Sequence, residues 1–310
     1  MARGSRKSRS SRTAPDGGVV VWKPRGPSSR SVVDRVQRKL GVRGLGHCGT
    51  LDPLASGVMV LTGGLGSKFQ QWLTIHDKSY EATIWWGLGS DSGDGEGPLW
   101  SPSTPVSLPT AADVEAILPR FLGEQEQMPP LHSAVRIDGR RAYQSAREGK
   151  DVDLQARSIR IDTLQLLEMD GPRCRLRVDC GPGTYIRSLA RDLGEAWGIP
   201  ATLIGLRRLS CGVHTLEEAV CCDQICSDDW WPLEQLVKHL PRHDLSEDEC
   251  RLLAQGQQLS GTVDGERVAW CQEVVQGIVE PGSDGISDGI KARRWLSRGV
   301  REAGVEQDPV

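Results

Sequence analysis

Residues 47–57, HCGTLDPLASG, place an aspartate directly before a proline in a glycine-rich stretch, and the apolar run VMVLTGG follows at 58–64. Proline disfavours helical backbone in the residue before it, so Asp52 is held extended. Glycines allow a ligand to approach the backbone closely. Judged locally, however, a loop aspartate more often shapes a turn than performs chemistry. The stretch predicts a carboxylate on a rigid loop that leads into a buried strand, and the rest of the chain must decide its role.

The composition is that of a folded, soluble protein. The 310 residues are 38% hydrophobic and 25% charged, and no apolar run approaches the roughly 18 residues that a membrane helix needs. Nine cysteines without a secretory signal indicate reduced thiols, so we expect a cytoplasmic protein that does not bind a membrane. The net charge of −3 does not indicate a polyanion partner. Nucleic-acid binding would therefore depend on local basic clusters such as GLRRL at 205–209.

The pattern along the chain predicts a disordered basic tail over 1–17, a large domain over 18–243 and a small β-rich domain over 244–310. The glycine-rich stretch 280–290 is expected to form a mobile hairpin tip. Because strands and helices alternate irregularly, the fold class is predicted to be α+β with a mixed sheet. The spacing of apolar residues predicts helices over 28–41, 67–75, 110–121, 184–198 and 246–256, and strands over 17–24, 58–64, 78–87, 173–183 and 201–209, with further short strands within 267–280.

A rival site is formed by Cys222, Cys226, His239 and His243, whose C-x3-C-x12-H-x3-H spacing matches a zinc finger. Pro241 lies between the two histidines and disfavours a regular helix there. Helix geometry therefore favours an apolar connecting helix with unliganded cysteines, and a zinc-binding module remains the alternative. Nothing else in the sequence requires a metal.

The decisive pattern is that GHCGTLDPLASGVMVLTGG, residues 46–64, closely resembles the signature of the TruB family of tRNA pseudouridine synthases. The similarity covers about residues 18–210. The stretch 244–310 is similar, through weaker motifs, to the family's PUA-type RNA-binding domain, a small β-barrel. The supporting motifs, in the family's order, are WKPRGPSS (22–29), KSYEA (78–82), SDSGDGEG (90–97), MPPLHSAVRIDGRRAYQSAREG (128–149), GPGTYIRSLARDLG (181–194) and GLRRL (205–209).

This resemblance implies an isomerase that converts uridine 55 in the T-loop of tRNA to pseudouridine. It implies Asp52 as the nucleophile, attacking either the ribose C1′ or the base C6. Arg187 is the implied partner cation, which would keep Asp52 ionised by lowering its pKa, and Asp94 would orient Arg187. The partner is the tRNA T-stem-loop. We expect a monomer with no cofactor, no metal and no obligate protein partner.

The base of a folded T-loop is stacked, so the enzyme must flip it out and hold it. The resemblance implies Tyr80 as the aromatic platform and as an aid in removing the C5 proton. Tyr185 and Leu206 would line the pocket, His47 would fill the space that the base leaves, and Lys23 would pack behind the catalytic loop. The sequence departs from the family pattern at Cys48, Ser90, Ser92, His132 and Thr202.

Three alternatives remain. A catalytically idle RNA-binding relative would lack Asp52 or Arg187, yet both are present. A zinc-dependent nucleic-acid module would need metal at the cysteine and histidine site. An RNA-guided relative acting on ribosomal RNA is the third.

Overall fold

The computed structural model describes residues 12–130, 136–137, 140–141, 155–283 and 288–296. Residues 1–11 of the predicted tail, His132, and 284–287 within the predicted hairpin tip lie outside the described residues. Over the described part, no helix has both the length and the hydropathy needed to cross a membrane.

The described part of the chain forms two main sheets and three two-stranded sheets, with helices packed against the main sheets. The longer strands of the larger sheet are β1 (Gly17–Lys23), β2 (Ala55–Gly63), β3 (Lys78–Trp86), β4 (Gly123–Gln127), β5 (Arg157–Asp170), β6 (Arg173–Cys180) and β7 (Ala201–Cys211). The strands of the smaller sheet are β8 (Arg242–Asp244), β9 (Leu259–Ser260), β10 (Arg267–Cys271), β11 (Val274–Ser283) and β12 (Asp288–Trp295). The α-helices among the described residues are α1 (Ser29–Leu40), α2 (Gln70–Thr74), α3 (Ala111–Ile117), α4 (Ile186–Trp197), α5 (Leu233–Val237) and α6 (Glu247–Ala254).

The larger sheet is mixed, in the order β1-β2-β7-β3-β6-β5-β4. The pairing of β2 with β7 is parallel, whereas β1 with β2 and all pairings from β7 to β4 are antiparallel. Short strands extend it: Val220–Cys221 and Trp231–Pro232 pair with β1, Gly46–His47 with β2, and His214–Thr215 with β7. The predicted α+β class with a mixed sheet is confirmed.

Local sequence signals explain several of these elements. Ser28 caps α1 by accepting a hydrogen bond from the Ser31 N–H, and Gly41 ends the helix with a φ of 67°. At the start of α3, Thr110 and Asp113 form a capping box. The predicted helix over 67–75 is instead a 3₁₀ turn at Gly64–Phe69 followed by the short α2.

The prediction of a disordered tail is wrong for residues 12–17. Arg12–Thr13 pairs in parallel with Val42–Arg43, and Gly17 is a buried residue of β1. The Arg12 N–H donates to the Gly41 carbonyl and the Ala14 N–H to the Arg43 carbonyl. Because these hydrogen bonds satisfy the backbone, residues 12–17 are part of the fold.

The smaller sheet is a curled half-barrel of five strands in the order β8-β10-β11-β12-β9. It begins at Arg242, two residues before the predicted domain boundary at 244. It shares an apolar core with the larger sheet: Trp72, Leu233 and Leu236 lie in one buried cluster with Trp270 and Ile278. The Trp72 indole also donates to the Glu266 carboxylate at 2.6 Å. The two sheets are therefore packed against each other through a common core.

Candidate active site

The loop that carries Asp52 is held by Lys23, the last residue of β1. Lys23 is fully buried, and its ammonium donates to the Ala55 carbonyl at 2.6 Å. The Gly26 N–H donates to the Pro53 carbonyl at 2.8 Å. Burial lowers the pKa of Lys23 to about 8, and the Asp52 carboxylate opposes that shift. The loop is therefore anchored at Pro53 and Ala55, directly after the aspartate in the sequence.

Arg208 holds the same loop from β7. This arginine is buried, and its guanidinium donates to the Val58 carbonyl at 2.7 Å and to the Gly49 carbonyl at 3.4 Å. Gly57 has a φ of +114°, and a Cβ placed there would lie 2.1 Å from the Arg208 carbonyl oxygen. Glycine is thus required at this position for β2 and β7 to approach each other.

Asp52 and Arg187 form a two-point ion pair. Arg187 is the second residue of α4, and its Nε lies 3.0 Å from Asp52 Oδ2, with its Nη2 3.4 Å from Oδ1. Burial raises the pKa of Asp52, and the Arg187 guanidinium opposes this shift without reversing it. Arg187 thus lowers the pKa of Asp52, as expected, but desolvation is the larger effect and the pKa stays raised.

Asp94 and Ser92 hold the other side of Arg187. The Arg187 Nη1 donates to the Ser92 carbonyl at 3.0 Å and lies 3.7 Å from Asp94 Oδ2. Asp94 is buried, and its Oδ1 accepts from the Ser92 hydroxyl at 2.9 Å and from the Glu96 N–H at 3.2 Å. The loop formed by residues 90–97 is thus folded around Arg187.

Tyr80 and Leu206 lie on neighbouring strands next to the Asp52 loop. Tyr80 of β3 is buried in the same apolar cluster as Leu51 and Leu54, and the half-buried Leu206 packs against that cluster. Burial raises the pKa of Tyr80 to about 12, with the Arg208 guanidinium opposing the shift. The phenol therefore stays protonated near neutral pH. This favours a role as a stacking surface for a nucleobase over a role as a proton acceptor.

Tyr185 and His47 occupy different places. Tyr185 is half-buried and is the capping residue that precedes α4, two residues from Arg187. His47 lies on the short strand beside β2, opposite Leu61, six residues along β2 from Ala55. Burial lowers the pKa of His47, so its ring is neutral at physiological pH. The structure thus groups Asp52, Arg187 and Asp94, and it places His47 away from them along β2.

A cavity of about 500 Å³ opens beside Arg187. Its walls include Trp100, Met128, Pro130 and Ile199, and Asp52 is not part of them. Arg187 therefore contacts the carboxylate on one side and this largely apolar space on another.

The proposed zinc ligands are not gathered into a metal site. Cys222 is buried in the apolar cluster under α1, whereas Cys226 is exposed. The His239 ring lies 3.3 Å from the His76 ring, nitrogen to nitrogen, and His243 lies on β8. Among the residues that the structure describes, no group of three or more such side chains could hold a metal ion. The spacing match is therefore not reflected in three dimensions.

Two contributors were not identified from the sequence. Ser92 acts through its backbone carbonyl as well as its hydroxyl, and side-chain chemistry does not reveal a carbonyl contact. Arg208 lies within the quoted GLRRL motif, and the signal was a pair of arginines between Leu206 and Leu209 in a strand. A buried arginine needs several acceptors, so it tends to mark a loop anchor or a site.

Comparison with known proteins gives a consistent result. The profile of the TruB family pseudouridylate synthase N-terminal domain matches residues 37–186. The chain is 39% identical over 268 residues to tRNA pseudouridine synthase B of Rhodopirellula baltica, covering 80% of this chain and 77% of that protein. It is 41% identical over 278 residues to tRNA pseudouridine synthase B of Burkholderia lata, covering 85% of this chain and 86% of that protein.

Solved structures share the fold at lower identity. A chain of an H/ACA RNP bound to a substrate RNA containing 2'-deoxyuridine aligns with a TM-score of 0.66 and 20% identity, covering 91% of this chain and 86% of that chain. A chain of a Cbf5-Nop10-Gar1 complex aligns with a TM-score of 0.67 and 22% identity, covering 90% of this chain and 84% of that chain. These alignments extend the similarity of fold over both sheets.

Proposed function

Because the chain belongs to the TruB family of pseudouridylate synthases and forms pseudouridine in tRNA, we propose that its target is uridine 55 of the T-loop and that Asp52 is the nucleophile. The observation that carries this proposal is the two-point ion pair between Asp52 and Arg187. It sets a charged carboxylate on a rigid loop, with 35% of the Asp52 side chain exposed. The carboxylate is thus accessible to a substrate while it is paired with Arg187.

The reaction exchanges one bond of the ribose for another. The bond from C1′ to N1 of uracil breaks, the base rotates, and C1′ bonds to C5; the proton on C5 is lost and N1 gains a proton. Atoms and electrons balance within the nucleotide, so no oxidant or reductant is consumed. Asp52 would attack C1′ or C6 and be released when the new bond is complete. Arg187 would keep it ionised in a partly dehydrated pocket and fix its direction.

The remaining predicted residues fit the handling of a flipped base. Tyr80, protonated and buried beside Leu51, would offer its ring as the stacking surface, with Leu206 at the edge of the same cluster. Tyr185, directly before the arginine helix, would close the pocket. His47 would enter the space in the T-loop from its place beside β2. Lys23 would act through the loop carbonyls.

We further propose that residues 244–310, with the two preceding residues of β8, form a PUA-like RNA-binding domain, and that the catalytic domain extends from residue 18 to the start of β8. The five-stranded curled sheet supports the first part, since small β-barrels recur in RNA recognition. We also propose that the enzyme acts in the cytoplasm as a monomer, without an obligate protein partner. The idle relative is not favoured, because Asp52 and Arg187 are both present and paired.

The test is pseudouridine mapping on an unmodified tRNA transcript, using carbodiimide adducts and primer extension. Wild-type protein is expected to modify position 55, and a transcript with cytidine at that position should give no product. Asp52→Asn is expected to abolish product while tRNA binding stays within about threefold, because phosphate contacts supply most of the affinity. Modification at another position would refute the target, and an active Asp52→Asn variant would refute the nucleophile.

A further inference from the structure

Gln127 joins the edge of the larger sheet to the start of the arginine helix. It is the last residue of β4 and is 4% exposed. Its Oε1 accepts from the Tyr185 N–H at 2.8 Å, and its Nε2 donates to the Tyr185 carbonyl at 3.2 Å. One side-chain amide thus satisfies both backbone polar groups of a single residue, which requires a donor and an acceptor side by side.

This contact meets a need at the start of α4. The first N–H groups of any helix lack partners within the helix, and a serine, threonine or aspartate usually caps them. Tyr185 occupies the capping position and makes no side-chain capping bond. The Gln127 amide, coming from a strand 58 residues away in sequence, fixes the residue from which the helix begins.

The next residue of the same segment adds a second tie. The Met128 carbonyl accepts from the Ser188 hydroxyl at 2.7 Å and from the Arg191 guanidinium at 3.0 Å. Arg187 lies between Tyr185 and Ser188 in the sequence. Both of these residues are held by one segment, residues 127–128. The position of Arg187 relative to Asp52 is therefore set by contacts with the end of β4, a strand of the larger sheet.

We propose that Gln127 is a positioning residue for the reaction, acting through Tyr185 and Arg187 on Asp52. The inference rests on the proposed function, because it needs the ion pair to serve catalysis. Loss of the amide contact lets the first turn of α4 shift. A displacement of about 1 Å at a reacting group can cost about a hundredfold in rate. The effect therefore falls on the chemical step, whereas RNA binding, which uses other surfaces, is spared.

The first experiment compares Gln127→Met with Gln125→Met under single-turnover conditions. Gln125 lies on the same strand, is half-buried, and donates to the Phe121 carbonyl instead of to α4. Gln127→Met is expected to lower kcat by about 10- to 100-fold, with KM for tRNA changed by less than about threefold. Gln125→Met is expected to keep wild-type kcat. A folded Gln127→Met protein with kcat within about twofold of wild type would overturn the proposal.

A second variant decides the matter if Gln127→Met fails to fold. In Gln127→Glu, a protonated carboxyl donates to the Tyr185 carbonyl and accepts from its N–H, as the amide does, whereas the ionised form cannot donate. Burial raises the pKa of such a carboxyl. The kcat of Gln127→Glu relative to wild type is therefore expected to rise as the pH falls from about 8 to 6. A ratio that stays near one from about pH 6 up to about pH 10 would refute a positioning role, whereas a low ratio at every pH reports an ionised side chain that cannot donate to the Tyr185 carbonyl.

These outcomes are separable from failure of the proposed function. If wild-type protein gave no pseudouridine, or if Asp52→Asn were fully active, the proposed function itself would be refuted. If wild type is active and Asp52→Asn is not, the Gln127 variants report on the positioning role alone.

Discussion

Arg187 and Asp52 form one ion pair but differ in exposure: the arginine side chain is 7% exposed and the aspartate side chain 35%. The cation is held by the Ser92 carbonyl and lies near the Asp94 carboxylate, whereas about a third of the acid's side chain is exposed. A fixed cation beside an accessible acid keeps a nucleophile charged without covering it. The arrangement therefore favours reaction at Asp52 over a purely structural salt bridge.

We expect Arg187→Lys to lower kcat by about a hundredfold, because a lysine is a point charge that cannot make the two-point contact. The measurement is the single-turnover rate on a tRNA transcript, together with tRNA binding, which should stay within about threefold. Arg173→Lys is a suitable control, since that arginine is 50% exposed and pairs with Asp170 at a surface turn. Wild-type kcat in Arg187→Lys would contradict the assignment.

We expect Asp94→Asn to shift the acid limb of the pH–rate profile to lower pH. Asp52 must be ionised to react, so the rate falls as pH drops through its pKa. Burial raises that pKa, and the Asp94 charge raises it further. Removing the Asp94 charge therefore lowers the pKa of Asp52, even though kcat also falls as Arg187 loses support. Arg187→Met should move the limb the opposite way. Parallel shifts in both variants would show that Asp52 does not set this limb.

We expect the wild-type rate to decline on the alkaline side with an apparent pKa near 8. Burial lowers the pKa of Lys23 to about 8, so above this pH the side chain is neutral and Asp52 loses a nearby cation. In Lys23→Met the rate is lower throughout, because the Ala55 carbonyl loses its donor, and the step near pH 8 is absent. An unchanged alkaline step in Lys23→Met would assign it to another group.

We expect Gly57→Ala to destabilise the fold by more than about 3 kcal/mol. The added Cβ would lie 2.1 Å from the Arg208 carbonyl oxygen, and neither backbone can move without breaking the β2–β7 pairing. Gly171→Ala is the matched control: it also has a positive φ but nothing within 4 Å of its Cβ. We expect it to cost about 1–2 kcal/mol. Equal urea midpoints for the two variants would contradict this account.

Much of the architecture could be predicted from local signals. Caps and apolar spacing located α1, α3 and α4. Family motifs identified Asp52, Arg187 and Asp94. The fold brings these residues together although Asp52 and Arg187 are 135 residues apart in the sequence. The resemblance was needed for this step, because local preferences alone favoured a turn role for Asp52.

Other features depend on contacts that local sequence does not carry. No strand was predicted over 157–170, although β5 spans all of it. Its pairing with β6 contains register shifts near Ile161 and Leu166, which interrupt the period-two alternation on which a strand prediction depends. Gln127 and the Ser92 carbonyl act on the backbone or guanidinium of distant residues, so only the folded chain reveals them.

The apolar cluster that joins Trp72, Leu233 and Leu236 to Trp270 and Ile278 also limits how this protein can be altered. A C-terminal sheet that shares its core with the larger sheet cannot be exchanged as an independent unit, because any replacement must also reproduce the surface that faces Trp72. A continuous buried core resists hinge motion. The spacing between the two sheets is therefore fixed, and an RNA that contacts both of them must present its two contact regions at that spacing.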